Sequence, residues 1–171
     1  NVSKTHYRAP KPEELQKLLE IADLREKVII SMLALGGFRL STLCRLKYKH
    51  VKRDLEAGVA PVHIHIESDI TKGKYCDYDT FIGAEAVEFL KLYLEQRRRR
   101  GERITDESPL IAAKSWPPRP LNENGVYKLV HRLYLKAGLI REDERFHELR
   151  VHSLRKFFRT QLTACLLYTS D

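Results

Sequence analysis

The chain has 171 residues and a mass of 20.0 kDa, and its 31 Lys and Arg against 23 Asp and Glu give a net charge of +8 and a pI near 9.4. That length supports one domain with a proper core and is too short for two comfortable ones, and a composition that is 43% hydrophobic and 32% charged describes an ordinary globular chain. No apolar run approaches the length of a membrane span and no signal peptide opens the chain, so a cytoplasmic protein with no membrane partner is expected, and the basic surplus favours a polyanionic one.

The opening residues 1–10, NVSKTHYRAP, are polar and read as a linker cut from a longer protein. Pro12, Glu13 and Glu14 then supply a helix start, with proline and acids in the first turn. Leu15, Leu18, Leu19 and Ala22 form the buried stripe of this helix. A second helix from about Arg25 carries Val28, Ile29, Ile30, Met32, Leu33 and Leu35; apolar nearly all round, it belongs at the centre of the core. Gly36 and Gly37 end it, and Phe38-Arg39-Leu40 opens a third helix with Leu40, Leu43 and Leu46 inward. Arg39 therefore stands at a glycine-marked junction beside the most buried helix, where a guanidinium is costly unless paired. A carbonyl cap and an anion ligand held by a rigid wall both fit that position, and the junction alone does not decide between them.

From Val59 to Glu67 the pattern changes to alternation, with Val62, Ile64 and Ile66 on one face and His63 and His65 on the other, which predicts a half-buried strand. The two histidines have no third ligand at a spacing that suits a metal. Residues 68–75 make a turn with Gly73 at its tip, and CDYDTFI returns as a second strand, so residues 59–82 form a β-hairpin. Lys72 and Lys74 flank Gly73, where a lysine can reach out to a ligand. Gly83 leads into a long helix with Val87, Leu90 and Leu94 inward. It ends in Arg97 to Arg100, a run read first as a solvated helix end favoured by the macrodipole and second as a phosphate-backbone contact. Residues 101–121 form a proline-marked loop around the apolar piece Leu110 to Ala113. Asn122 or Asn124 caps the next helix, whose Val126, Leu129, Val130 and Leu133 face inward and which Gly138 terminates.

The last helix, from near His152, places His152 and Arg155 on one face by the i, i+3 spacing, with Arg159 a turn further on. Leu154, Phe157 and Phe158 lie on a neighbouring face and can bury it. An imidazole exchanges protons near neutral pH, and a guanidinium offers a planar fork for two phosphate oxygens. Alone, His-x-x-Arg is also what a solvated basic face looks like. Cys44, Cys76 and Cys165 are scattered and suggest neither disulfides nor a zinc site.

Taken together, the boxes GGFRLSTLCRLKYKHV, ITKGKYCDYDTFI and VHSLRKFFRT resemble, in order and spacing, the first arginine box, the hairpin lysine box and the His-x-x-Arg box of the tyrosine recombinases, the phage-type integrases. The wording is most similar to integrases of archaeal viruses and mobile elements. The resemblance implies an α+β, mainly α-helical catalytic domain with a small β-hairpin sheet packed beside a helical core, spanning about residues 11–164. It implies that Arg39 and Arg155 clamp the scissile phosphate, that Lys72 protonates the departing 5′ oxygen, with Lys74 as the alternative, and that His152 assists proton transfer. Lys74, Lys156 and Arg159 are expected on the DNA backbone. His147-Glu148-Leu149-Arg150 repeats the His-x-x-Arg spacing but lacks the apolar anchor that follows Arg155, and is rejected.

Two departures stand out. Thr42 occupies a position where the family usually has an acid, which leaves the orientation of Arg39 open, although a hydroxyl there can still hydrogen-bond it. The family's later box and its nucleophilic Tyr are absent; Tyr168 follows Arg155 too closely to be that residue, and residues 165–171 read as an adapter-derived tail that is not native. The expected function is site-specific DNA recombination or integration through a covalent 3′-phosphotyrosine, on double-stranded attachment-site DNA, by a homotetramer in the intact protein, with no metal or other cofactor. The fragment itself is expected to be inactive, and its place is the cytoplasm, at the nucleoid when on DNA. The alternatives are an integrase-derived DNA-binding regulator without catalysis and a type IB topoisomerase-like DNA relaxation.

Overall fold

A computed structural model describes residues 6–71 and 76–169, with side chains as far as Ala164. Among these residues the chain forms α1 (Pro12–Ile21), α2 (Leu24–Ala34), α3 (Leu40–Arg45), α4 (Lys52–Glu56), β1 (Val62–Ile66), β2 (Tyr78–Ile82), α5 (Ala84–Arg99), α6 (Glu123–Lys136) and α7 (Val151–Thr169). Short 3-10 turns at Tyr48–His50 and Ser68–Ile70 complete the order. The turn and α4 lie in a stretch for which the sequence pattern predicts no element.

The helices begin where local chemistry starts them. Pro12 has no N–H to satisfy, and the Glu14 carboxylate accepts from the Lys11 amide at 2.8 Å. Asp23 and Glu26 exchange reciprocal side-chain to amide bonds at the head of α2, at 2.8 and 2.9 Å. Of the two candidate asparagines, Asn122 caps α6 by accepting from the Gly125 amide at 2.7 Å. Gly138 closes that helix at φ +72°.

Because α2 is apolar on every side from Val28 to Ala34, it can only be stable when surrounded, and α1, α5, α6 and α7 all pack on it. β1 and β2 pair antiparallel with Val62 opposite Ile82 and Ile66 opposite Tyr78. A two-stranded ribbon is marginal alone. Here its inner face, Val62, Ile64, Ile66 and Ile82, is sealed into the common core. On the outer face His63 Nε2 lies 2.7 Å from Asp79 Oδ1, and His65 lies between Asp79 and Asp77 at 3.1 and 3.2 Å.

Of the arginine run at the end of α5, Arg98, Arg99 and Arg100 are exposed as a solvated end should be, and Arg97 departs from it. Arg97 is 6% exposed. Its guanidinium donates twice to Glu102, at 2.7 and 2.6 Å, and once to the Leu110 carbonyl at 3.0 Å, so it pins the 101–121 loop to the helix. The segment before α1 is likewise fastened. Arg8 forks onto Glu14 at 2.6 and 2.9 Å, its Nε meets Glu148 at 3.2 Å, and its amide donates to the Glu148 carbonyl at 2.9 Å. α1 is thereby tied to the approach of α7.

Two outcomes follow. Hydrogen bonding from Arg8 holds the Glu14 carboxyl down from the usual 4.5 to about 2. A depressed folded-state pKa contributes stability that is present above the unfolded value and lost as pH falls toward the folded one. Urea midpoints of the wild type should therefore drop from about pH 4.5 to about pH 2 more steeply than those of Glu14→Gln; parallel curves would contradict this ion pair. At Gly37, φ is +66° and an added Cβ would meet the Phe158 ring at 2.3 Å. Gly37→Ala should destabilise the domain by about 2 kcal/mol or more in urea unfolding, from strained backbone and overpacking together.

Candidate active site

The site grows out of the α2–α3 junction. Because α2 must stop against the core and the chain must turn sharply, Gly36 and Gly37 carry it round, and Phe38 is buried behind them. Arg39 then sits in extended conformation as the residue capping α3, with its side chain exposed. Its guanidinium makes no hydrogen bond or ion pair with any described residue.

α7 runs beside this junction. Leu154 and Phe157 bury its apolar face, and Phe158 lies on Gly37. Arg155 is thereby brought to the same place, half-buried, and its Nε donates to the Gly37 carbonyl at 3.3 Å. Burial, then Arg159 and Arg39, disfavour the charge on Arg155 and lower its pKa. One turn earlier His152 is exposed, its Nε2 3.4 Å from the Tyr127 hydroxyl on α6. Arg39, His152 and Arg155 line one open cavity of about 460 Å³, together with Arg45, Glu123 and Tyr127.

The geometry defines what this cavity can hold. Two guanidiniums with little countercharge repel each other, and an anion placed between them relieves that repulsion and satisfies their free N–H groups. A tetrahedral oxyanion suits forks arriving from two helices, and the imidazole and phenol beside them can donate to it or pass a proton.

Arg45, Glu123 and Tyr127 are additions to the sequence-based set. Tyr127 follows from α6 lying against α7, which no local pattern reveals, while Arg45 falls on the α3 face after Arg39 and was legible only as one basic residue among many. Arg159 is exposed, one turn beyond Arg155. Lys156 is engaged with the segment before α1, its Nζ donating to the Tyr7 carbonyl at 2.9 Å and lying over the Tyr7 ring. Lys72 and Lys74 fall outside the described residues, as does the Tyr168 side chain. Arg45 reaches the Ile70 carbonyl at 3.5 Å, so the turn preceding Lys72 stands at the rim of the cavity. His147 and Arg150, of the rejected second motif, precede α7 and do not line this cavity.

The hydrogen bond to Arg39 that a hydroxyl at position 42 allows is not formed. Thr42 is wholly buried on the inner side of α3, and its hydroxyl meets no partner among the described residues. Arg39 points outward from the same short helix, so the two cannot meet.

Fold and cavity together define a mainly helical domain with a small antiparallel hairpin and an open cavity lined by two guanidiniums and an imidazole. The model of the phage integrase family matches residues 10–164, and the chain belongs to that family. Tyrosine recombinase XerC of Lactobacillus delbrueckii subsp. bulgaricus is 29% identical over 116 residues, which is 68% of this chain and 36% of that protein. Of solved structures, the XerA recombinase superposes with a TM-score of 0.70 at 26% identity, covering 100% of this chain and 53% of the other. The XerH site-specific recombinase bound to its difH substrate has the same fold, with a TM-score of 0.63 at 23% identity over 95% of this chain and 44% of that one. The chain thus spans about a third of the length of the curated relatives and about half of the solved ones.

Thr42 yields a measurable outcome. A buried hydroxyl without a partner is a desolvated polar group, and an isosteric methyl removes the penalty. Thr42→Val should leave the domain as stable or raise its stability by about 1 kcal/mol in urea unfolding. A loss of similar size would show that the hydroxyl has a partner.

Proposed function

We propose that this domain belongs to a site-specific DNA recombinase that breaks and rejoins strands through a covalent 3′-phosphotyrosine. The observation that carries the reading is the convergence of Arg39, His152 and Arg155, from segments far apart in sequence, on one cavity in which Arg39 has no partner among the described residues and Arg155 is fixed to the Gly37 carbonyl.

In this reading the scissile phosphate of double-stranded DNA occupies the cavity. Arg39 and Arg155 bind its non-bridging oxygens and stabilise the charge that gathers on them as the phosphorus becomes five-coordinate. A tyrosine that follows the matched residues attacks phosphorus; the bond to the 5′ oxygen breaks; Lys72 gives that oxygen its proton. His152, held beside Tyr127, donates to the phosphate and shuttles the tyrosine proton. The reverse attack by a 5′ hydroxyl of a partner strand restores the phosphodiester. The phosphotyrosine conserves the bond energy, so the chemistry requires no metal or nucleotide. Exchange of strands between two duplexes calls for four copies of the protein on DNA. Such a protein works in the cytoplasm, on nucleoid DNA, and Arg159 and Lys74 add contacts to the backbone.

The test has two arms. Arg39→Ala and Arg155→Ala should each weaken binding of this chain to duplex DNA roughly tenfold, the worth of a charged hydrogen bond. In the recombinase that carries this domain, incubated with a nicked duplex of its attachment site, Arg155→Ala and Lys72→Ala should lower the yield of covalent protein–DNA adduct by about 10² or more. Relaxation of supercoiled plasmid with no preferred site would point to a topoisomerase. Activity indifferent to Lys72 would point to a DNA-binding regulator.

A further inference from the structure

Next to the catalytic cavity lies a larger one of about 650 Å³, between α6 and the residues leading into α7. The two share Tyr127 and His152 in their linings. Its wall carries Lys128, Arg145 and Arg150, together with His131 and His147, and no carboxylate is among the described residues that line it. Part of this wall is the second His-x-x-Arg motif, which the proposed reaction does not use.

The wall is held in place. The Tyr134 hydroxyl, buried in the core, donates to the Arg150 carbonyl at 3.0 Å, and Arg150 Nε donates to the His147 carbonyl at 3.2 Å. The His147 and His131 rings meet edge to face at 5.1 Å. Nδ1 of His147 is buried and meets no hydrogen-bond partner among the described residues, with a carboxylate oxygen of Glu144 3.7 Å away. Arg145 is exposed and rests over the Phe146 ring, which keeps it at the rim. A cavity of cations and imidazoles with an unmet ring nitrogen and no lining carboxylate is an anion receptor.

We propose that this second cavity is a phosphate-binding subsite that takes the backbone phosphate next to the one in the catalytic cavity. This rests on the reading that the first cavity receives a DNA phosphate. Because the two cavities share Tyr127 and His152, a strand that passes from one to the other presents successive phosphates to both. Contacts of this kind carry no sequence information and fix the register of the strand. Lys128 and Arg145 grip the phosphate from the rim, and Arg150, His131 and His147 meet it from the wall.

The test uses the 171-residue chain, a short random-sequence duplex and two readouts: affinity as a function of salt, and the imidazole NMR signals of His131 and His147. Lys128 and Arg145 are exposed, so Lys128→Ala/Arg145→Ala leaves the core intact. The double variant should bind about tenfold more weakly. Its slope of log affinity against log salt should be shallower by about one, for one phosphate released. Both imidazole signals should move on adding DNA to the wild type and stay still in the variant. Unchanged affinity and slope, or imidazole signals that ignore DNA in the wild type, overturn the subsite. Arg39→Ala separates the two readings. If it weakens binding while the double variant does not, the subsite fails and the catalytic cavity stands; if only the double variant weakens binding, the first cavity's reading fails and takes with it the assignment of neighbouring phosphates.

Discussion

Gly37 and Phe158 touch at a distance that leaves no room for a Cβ, and the arrangement of the whole site depends on that contact. The glycine adopts a backbone conformation that other residues avoid, which turns the chain out of α2 and aims α3 away from the core. Its bare face lets α7 approach closely. Its carbonyl, freed by the turn, accepts the Arg155 Nε. One residue without a side chain therefore sets the angle of α3, the distance of α7 and the orientation of a guanidinium. Arg39 and Arg155 share a cavity because each is one short step from this contact.

The same charge type does opposite work in different parts of the molecule, and burial with a partner decides which. Arg97 is enclosed, meets a carboxylate and a carbonyl with all its nitrogens, and stacks over Tyr93, so it acts as a staple. Arg8 does the same for the first segment through Glu14 and Glu148. Among the described residues Arg39 has no partner, and Arg155 has a carbonyl while lying near two other cations. Paired guanidiniums hold the fold; unpaired ones that the fold has forced together are free for a ligand. A net charge of +8 conceals this division.

Much of the architecture was legible because it is written locally. The i, i+3, i+4 stripes of α1, α5 and α6, the all-round apolarity of α2 and the alternation of β1 each record how much of an element must be buried. The three boxes were legible as an ordered set, and the structure brings Arg39, His152 and Arg155 of that set to one place. What was not legible depends on which elements become neighbours. Nothing around Tyr127 announces that α6 lies along α7. Nothing in a run of four arginines says that the first turns inward, since that depends on where Glu102 and Leu110 come to rest. Thr42 belongs with these: the sequence left its relation to Arg39 open, and the structure decides it because Arg39 caps α3 from outside while Thr42 faces the core.

The hairpin raises the remaining mechanical question, how a two-stranded ribbon is held beside a site built on helices. Its inner face is committed to the core by Ile64 and Ile66, which fixes the register. Its start is tied by Asp54, which accepts from the His63 amide at 2.9 Å. The base of the connecting loop is tied again where the Ser68 amide donates to Asp77 at 2.7 Å, joining the two sides of the ribbon just before the lysine-bearing residues. The Thr71 hydroxyl closes the 3-10 turn onto the Ser68 carbonyl at 2.8 Å, and Arg45 holds Ile70 at the cavity rim. Ile70 is thus a fixed point beside Arg45 at the cavity rim, held from the hairpin side and from the helical side at once.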